Sequence, residues 1–143
     1  PIDAVTLNKH VLFFAKHDIY KNVYQNMHKE YCKTNTPSKF KDQSIDTSYA
    51  MNINGKENLG RNTHFKNKNY YKISAIIDSN GIPCSTIIVS GNRNDAKIGS
   101  ENIDAISDHV KEINMNMQHG PYLLGDKGYD SKEFRDKCIK AGY

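Results

Sequence analysis

Two aspartates stand where a phosphoryl-transfer site could use them. Asp46 lies inside the strand-like run Ser44-Ile45-Asp46-Thr47-Ser48, and Asp126 directly follows the apolar run Leu123-Leu124-Gly125. A carboxylate is a hard oxygen donor, and Mg²⁺ is typically held by one or two of them together with waters and substrate phosphates. Two ions about 3.5–4 Å apart can clamp the attacking and leaving oxygens of a displacement at phosphorus. The two aspartates can share such ions only if their strands are neighbours, about 4.8 Å apart. On spacing alone a plainer reading also stands, in which one Asp decorates a strand and the other begins a turn.

Other residues carry weaker signals. Lys56, Arg61, Lys66, Lys68 and Lys72 are interleaved with His64, Phe65, Tyr70 and Tyr71. Cations among aromatic rings can track nucleic-acid phosphates and bases, although a Lys-rich solvated loop looks the same. Lys127, next to Asp126, invites the same two readings. Asp95 could support a metal site from behind, but an Asp at this place more often opens a helix by capping it or by favouring its positive end. His28 and Cys32, one helical turn apart, could begin a zinc site. No second ligand pair is spaced to complete it, so a packed helix face is the expectation. His-Glu-x-x-His, phosphate-loop and nucleophile-elbow motifs are absent from the sequence.

The elements that would position these residues follow from periodicity. Within residues 4–32, Leu12, Ile19, Val23, Met27 and Tyr31 recur at helical spacing, which predicts one long or two shorter amphipathic helices. Residues 33–43 are polar, contain Pro37 and read as a connector. A strand is predicted at 44–53, a loop at 54–69 and a second strand at 70–78. Ser79-Asn80-Gly81 signals a tight turn into a third strand at 82–89, which makes an antiparallel hairpin. Residues 90–95 are a loop, and a single helix is expected from 96 to 115. A short buried strand at 121–125 leads through Asp126 to a last helix at 131–140, with Asp130 and Glu133 as a capping box. The order is helices, then β-β-β-α-β-α. The strand–helix–strand passage implies a parallel crossover, and in such sheets chemistry gathers at the carboxyl ends of strands.

Composition sets the outer limits. The 143 residues carry a net charge of +4, which permits a polyanionic partner without proving one. Mean hydropathy is -0.74, and no apolar run approaches the roughly 20 residues of a membrane span. Cys32, Cys84 and Cys138 are odd in number and far apart, so a reducing compartment is the default; Cys84 reads as a core residue. The start at Pro1 and the end at Tyr143 read as a piece of something longer.

Residues 44–143 resemble the catalytic domain of DDE transposases of the bacterial insertion-sequence kind. Four segments correspond in order: the Asp46 strand; the basic stretch from Gly60-Arg61 through the hairpin to Pro83; the turn Gly91-Asn92-Arg93-Asn94-Asp95; and Leu123-Leu124-Gly125-Asp126-Lys127-Gly128-Tyr129-Asp130-Ser131. The last is close to a signature of the family, while the others gain weight from their order. The resemblance implies an RNase H-like α/β domain at 44–143 behind a helical segment at 1–43. It makes Asp46 and Asp126 the first two catalytic acids and ligands of Mg²⁺ or Mn²⁺. It also implies an intracellular location, wherever the DNA is, and DNA as partner, both transposon ends and target. A homodimer is one option; neither a membrane nor a small-molecule substrate enters. The third acid of the family is a Glu on a later helix. Glu133 is rejected for that role because it shares a helix with the Asp126 turn, so residues 1–143 are expected to be inactive alone. Two other readings stay open: a decayed or domesticated remnant that binds DNA without cutting, and an RNase H-like nuclease that is not a transposase.

Overall fold

The computed structural model describes residues 3–34, 37–51, 60–62 and 68–143; the side chains of Pro37, Arg61, Asn62 and Lys68 are outside that description. The chain divides into two compact units, Pro1–Asn35 and Thr36–Tyr143.

The first unit is a helical hairpin, the two-helix version of the sequence expectation: α1 spans Ala4–Lys16 and α2 spans Ile19–Thr34. Asp3 caps α1 by accepting from the Thr6 amide at 2.9 Å, which satisfies one of the amides a helix start leaves unpaired. Asp18, with φ 52°, makes the turn. Phe14 of α1 meets Tyr20 of α2 edge-on, with centroids 5.7 Å apart. His28 is buried beside Cys32, with Nδ1 and Sγ 3.6 Å apart, and stacks on Tyr24. Among the described residues no group of three or more His, Cys, Asp or Glu could hold a metal ion.

The second unit is a mixed α/β layer. Its strands are β1 (Asp42–Met51), β2 (Gly60–Asn62), β3 (Lys68–Ile77), β4 (Pro83–Ser90) and β5 (Tyr122–Leu124). β1 sits between β3, which is antiparallel to it, and β5, which is parallel. β4 pairs with the other edge of β3, and the short β2 continues that edge. The predicted hairpin is present. Its turn is held by Asp78 Oδ1, which accepts from the amides of Asn80 and Ile82, each at 2.9 Å. Gly81 takes φ 77° there, a conformation that side chains with a Cβ rarely adopt. Within the predicted 54–69 loop, Gly60–Asn62 pairs with β3 as β2 and β3 begins at Lys68; the rest of that stretch lies outside the described residues.

Alternation along the strands gives the sheet two unlike faces. Ile45, Ile76 and Val89 lie on the buried face, with helix α3 (Asp95–Asp104) packed on β3 and β4 and helix α5 (Lys132–Lys140) on α3; Ile98, Ile103, Ile106, Phe134 and Val110 of helix α4 (Asp108–Asn116) are buried with them. Full burial of an isoleucine such as Ile76 or Ile98 contributes roughly 1.5–3 kcal/mol. Three buried polar side chains here pair with one another: Asn102 Nδ2 donates to Ser74 Oγ at 3.0 Å and Ser85 Oγ donates to Asn102 Oδ1 at 2.6 Å. Gly99 lets α3 approach α5, because a Cβ there would lie 2.8 Å from the rings of Phe134 and Tyr129.

Two local expectations are corrected. The helix expected over 96–115 is two helices, α3 and α4, because Ser107 is extended and caps a new start by accepting from the Val110 amide at 3.4 Å. The cap of α5 is Ser131, which accepts from the Phe134 amide at 3.1 Å. Asp130 pairs with Arg135, so it is not the N-terminal partner of a capping box.

Candidate functional site

Asp46 and Asp126 lie on, and just past, two neighbouring parallel strands, β1 and β5. Their parallel register pairs Asp42 with Tyr122, Gln43 with Leu123 and Ser44 with Leu124. The pairing ends there, and Asp46 and Asp126 each follow the last pair by two residues, Asp46 still on β1 and Asp126 at the start of a turn. Both are exposed. Asp46 shares the open face of the sheet with Ser44, Ser48, Ile73, Ala75 and Ile77, which line a shallow groove with it.

Each carboxylate is oriented by one oxygen. Asp46 Oδ1 accepts from the Thr47 amide at 2.7 Å, and Asp126 Oδ1 accepts from the Gly128 amide at 2.7 Å. The second bond makes Asp126 the cap of a single 3₁₀ turn, Lys127–Tyr129. Neither second oxygen has a hydrogen-bond partner among the described residues, so each can coordinate. Two such oxygens, open to solvent, suit a hard cation that keeps several of its waters. They fall short of a complete protein cage.

Tyr129 connects the two. Its ring is buried against Phe134, with centroids 5.8 Å apart, and its hydroxyl hydrogen-bonds Thr47 Oγ1, one residue past Asp46. Burial pushes the Tyr129 hydroxyl above the ordinary phenol range, while the bond to Thr47 pulls the other way and the charges of Asp95 and Asp46 add to the rise. Gly125 must be small at this junction, since a Cβ would lie 2.8 Å from Ile45 Cγ2 and 3.3 Å from Tyr129.

Asp95 opens α3 in its first turn, but the cap is Asn94, whose Oδ1 accepts from the Ala96 amide at 3.0 Å. Asp95 Oδ1 instead accepts from Lys72 Nζ at 2.8 Å. Its Oδ2 faces Gly128, 3.7 Å from where a Cβ would stand, and Asp126 Oδ1 lies 2.9 Å from the same point. The Gly91–Asp95 turn is braced further by Arg93, which forks onto Glu101. That contact holds the Glu101 carboxyl below its usual range.

The expected DNA-tracking cations divide. Lys56 and Lys66, and the side chains of Arg61 and Lys68, lie outside the described residues. Lys127 is exposed beside Asp126. Lys72 departs from the expectation: it is 4% exposed, and its ammonium donates to Asp95 and, at 2.7 Å, to the Arg93 carbonyl. It also lies 5.2 Å from the centre of the Tyr49 ring. An ammonium so enclosed does not present itself to a phosphate backbone. The strand period carried the signal, because residues 72, 74 and 76 share one face and Ile76 marks that face as core. Thr47 and Tyr129 carry no chemical signal of their own in the sequence, although Tyr129 stands within the signature around Asp126.

A mixed sheet with an antiparallel hairpin on one side of β1 and a parallel neighbour on the other, behind N-terminal helices, is RNase H-like. Residues 36–143 match the Transposase DDE domain family, and the chain belongs to that family. No curated protein and no solved structure matches it. A transposition-related function of the nuclease type, action on DNA and a general use of divalent metal ions go with this family. Among the described residues no helix is long and apolar enough to cross a membrane.

Proposed function

We propose that Asp46 and Asp126 are the paired catalytic carboxylates of a transposase that cuts and joins DNA, and that together they bind Mg²⁺ or Mn²⁺. The observation that supports this reading is the parallel pairing of β1 with β5, which ends two residues before each aspartate. When bound, the metal would polarise the phosphoryl group and neutralise charge developing on it. The protein's own part is to hold two carboxylates, each set by a backbone amide and each exposed where a DNA strand can reach. Lys127, exposed beside Asp126, is suited to a phosphate of that strand. The intact enzyme would hydrolyse a strand at the transposon end and then join the freed 3′-hydroxyl to target DNA.

Two carboxylates without a third hold a hard cation loosely. Residues 1–143 by themselves are therefore expected to bind metal weakly and not to cleave. A non-catalytic DNA-binding remnant is the alternative reading. Mn²⁺ titration by calorimetry separates the two. Asp126→Asn keeps an oxygen for the Gly128 amide and so preserves the turn, yet it should weaken Mn²⁺ at least tenfold, as should Asp46→Asn. Unchanged Mn²⁺ binding in both variants would sink the metal assignment. In a version extended through the Glu-bearing helix expected of the family, Asp126→Ala should abolish strand cleavage.

A further inference from the structure

We propose that Tyr129, Thr47, Asp95 and Lys72 are positioning residues that fix the distance between the Asp46 and Asp126 carboxylates; this rests on the metal-site reading above. Asp126 sits on a single 3₁₀ turn with little internal support: the Gly128 amide bonds its side chain and the Tyr129 amide donates to its carbonyl at 3.2 Å. A turn this short does not hold its own geometry, so its position must come from its neighbours. Tyr129 supplies one tie. Its ring is anchored in the core between α3 and α5, and its hydroxyl reaches Thr47 on the strand of Asp46. One side chain thereby couples the turn of one acid to the strand of the other.

The Lys72–Asp95 pair supplies the second tie. Asp95 Oδ2 lies 3.7 Å from where a Cβ of Gly128 would stand, and Lys72 holds Asp95 from β3, the antiparallel neighbour of β1. Lys72 also offsets the Asp95 charge. Without it a further negative charge would stand uncompensated next to Asp126. Outer groups that orient ligating carboxylates typically change metal affinity by about 10–100-fold when they are removed.

Hydrogen–deuterium exchange on the whole 143-residue chain, with Mn²⁺ titration alongside, tests this. Tyr129→Phe keeps the buried ring and removes only the hydroxyl. Exchange over residues 125–130 should then accelerate about tenfold while the β3–β4 hairpin is unchanged, and Mn²⁺ affinity should fall about tenfold. Thr47→Val removes the other end of the same bond and should reproduce both effects. The double variant should be no worse than either single one, because partners in one contact do not add. Unchanged exchange at 125–130, or an equal rise in every element, overturns the proposal. Asp126→Asn reads out separately: if it leaves Mn²⁺ binding intact, the metal-site reading fails, and the exchange pattern still decides whether these residues fix the turn.

Discussion

Lys72 shows how far a single residue can depart from what its type suggests. In the sequence it is one lysine among many, while in the fold its side chain is 6% exposed and its ion-pair partner Asp95 is 34% exposed. Removing one member of such a pair strands the other charge. Because Asp95 is partly solvated, Lys72→Met should cost about 2 kcal/mol in urea unfolding, below the range for fully buried pairs. Adding Asp95→Leu should recover part of that loss. A second residue-scale outcome concerns Cys138, whose thiol is pushed up to about 11 by burial. The thiolate is the reactive form, so Cys138 in the folded chain should alkylate far more slowly at pH 8 than in urea, as mass spectrometry of modified peptides would show.

At the element scale, most of the second unit was legible because hydrophobic period and turn chemistry agreed. The β3–β4 hairpin followed from two β-branched runs around Asn80-Gly81, and β5 followed from its apolar run before Asp126, but it is not the buried strand expected, since Tyr122 and Leu124 are exposed. What periodicity could not show was the break between α3 and α4. Ile98, Ile103, Ile106, Val110 and Ile113 keep a helical rhythm across it, and the interruption depends on one capping hydroxyl. Ser107→Ala should therefore cost about 1 kcal/mol in thermal or urea unfolding. β2 was missed for the opposite reason: three residues of Gly, Arg and Asn have no strand signature, and their pairing with β3 is a long-range choice. The pairing of β1 with β5 was legible only as a consequence of strand order. The two acids could be named from the motifs and now lie on, and just past, paired strands, while the hydroxyl tie of Thr47 to Tyr129 could not be read in advance.

For the molecule as a whole, the second unit is closed by buried polar groups whose protons set its alkaline limit. Gln43, fully buried on β1, donates to Asn114 Oδ1 of α4 at 2.9 Å and to the Phe40 carbonyl at 3.0 Å, and accepts from Tyr143 at 2.7 Å. Burial raises the Tyr143 hydroxyl far above the ordinary phenol value of 10.0, and it raises the Cys138 thiol from 9.0 to about 11. Both groups are neutral when protonated, so a raised value means that the folded chain keeps a proton the unfolded chain releases. Stability from this source is complete below the unfolded values and falls as pH rises through them. The urea midpoint should hold steady up to about pH 8.5, begin to fall near pH 9 as Cys138 titrates in the unfolded chain, and fall more steeply above pH 10. Tyr143→Phe should lower the midpoint slightly at neutral pH, by about 1 kcal/mol for the lost bond to Gln43, and should flatten the decline above pH 10. A variant that declined as steeply as the wild type would show that Tyr143 does not carry the alkaline transition.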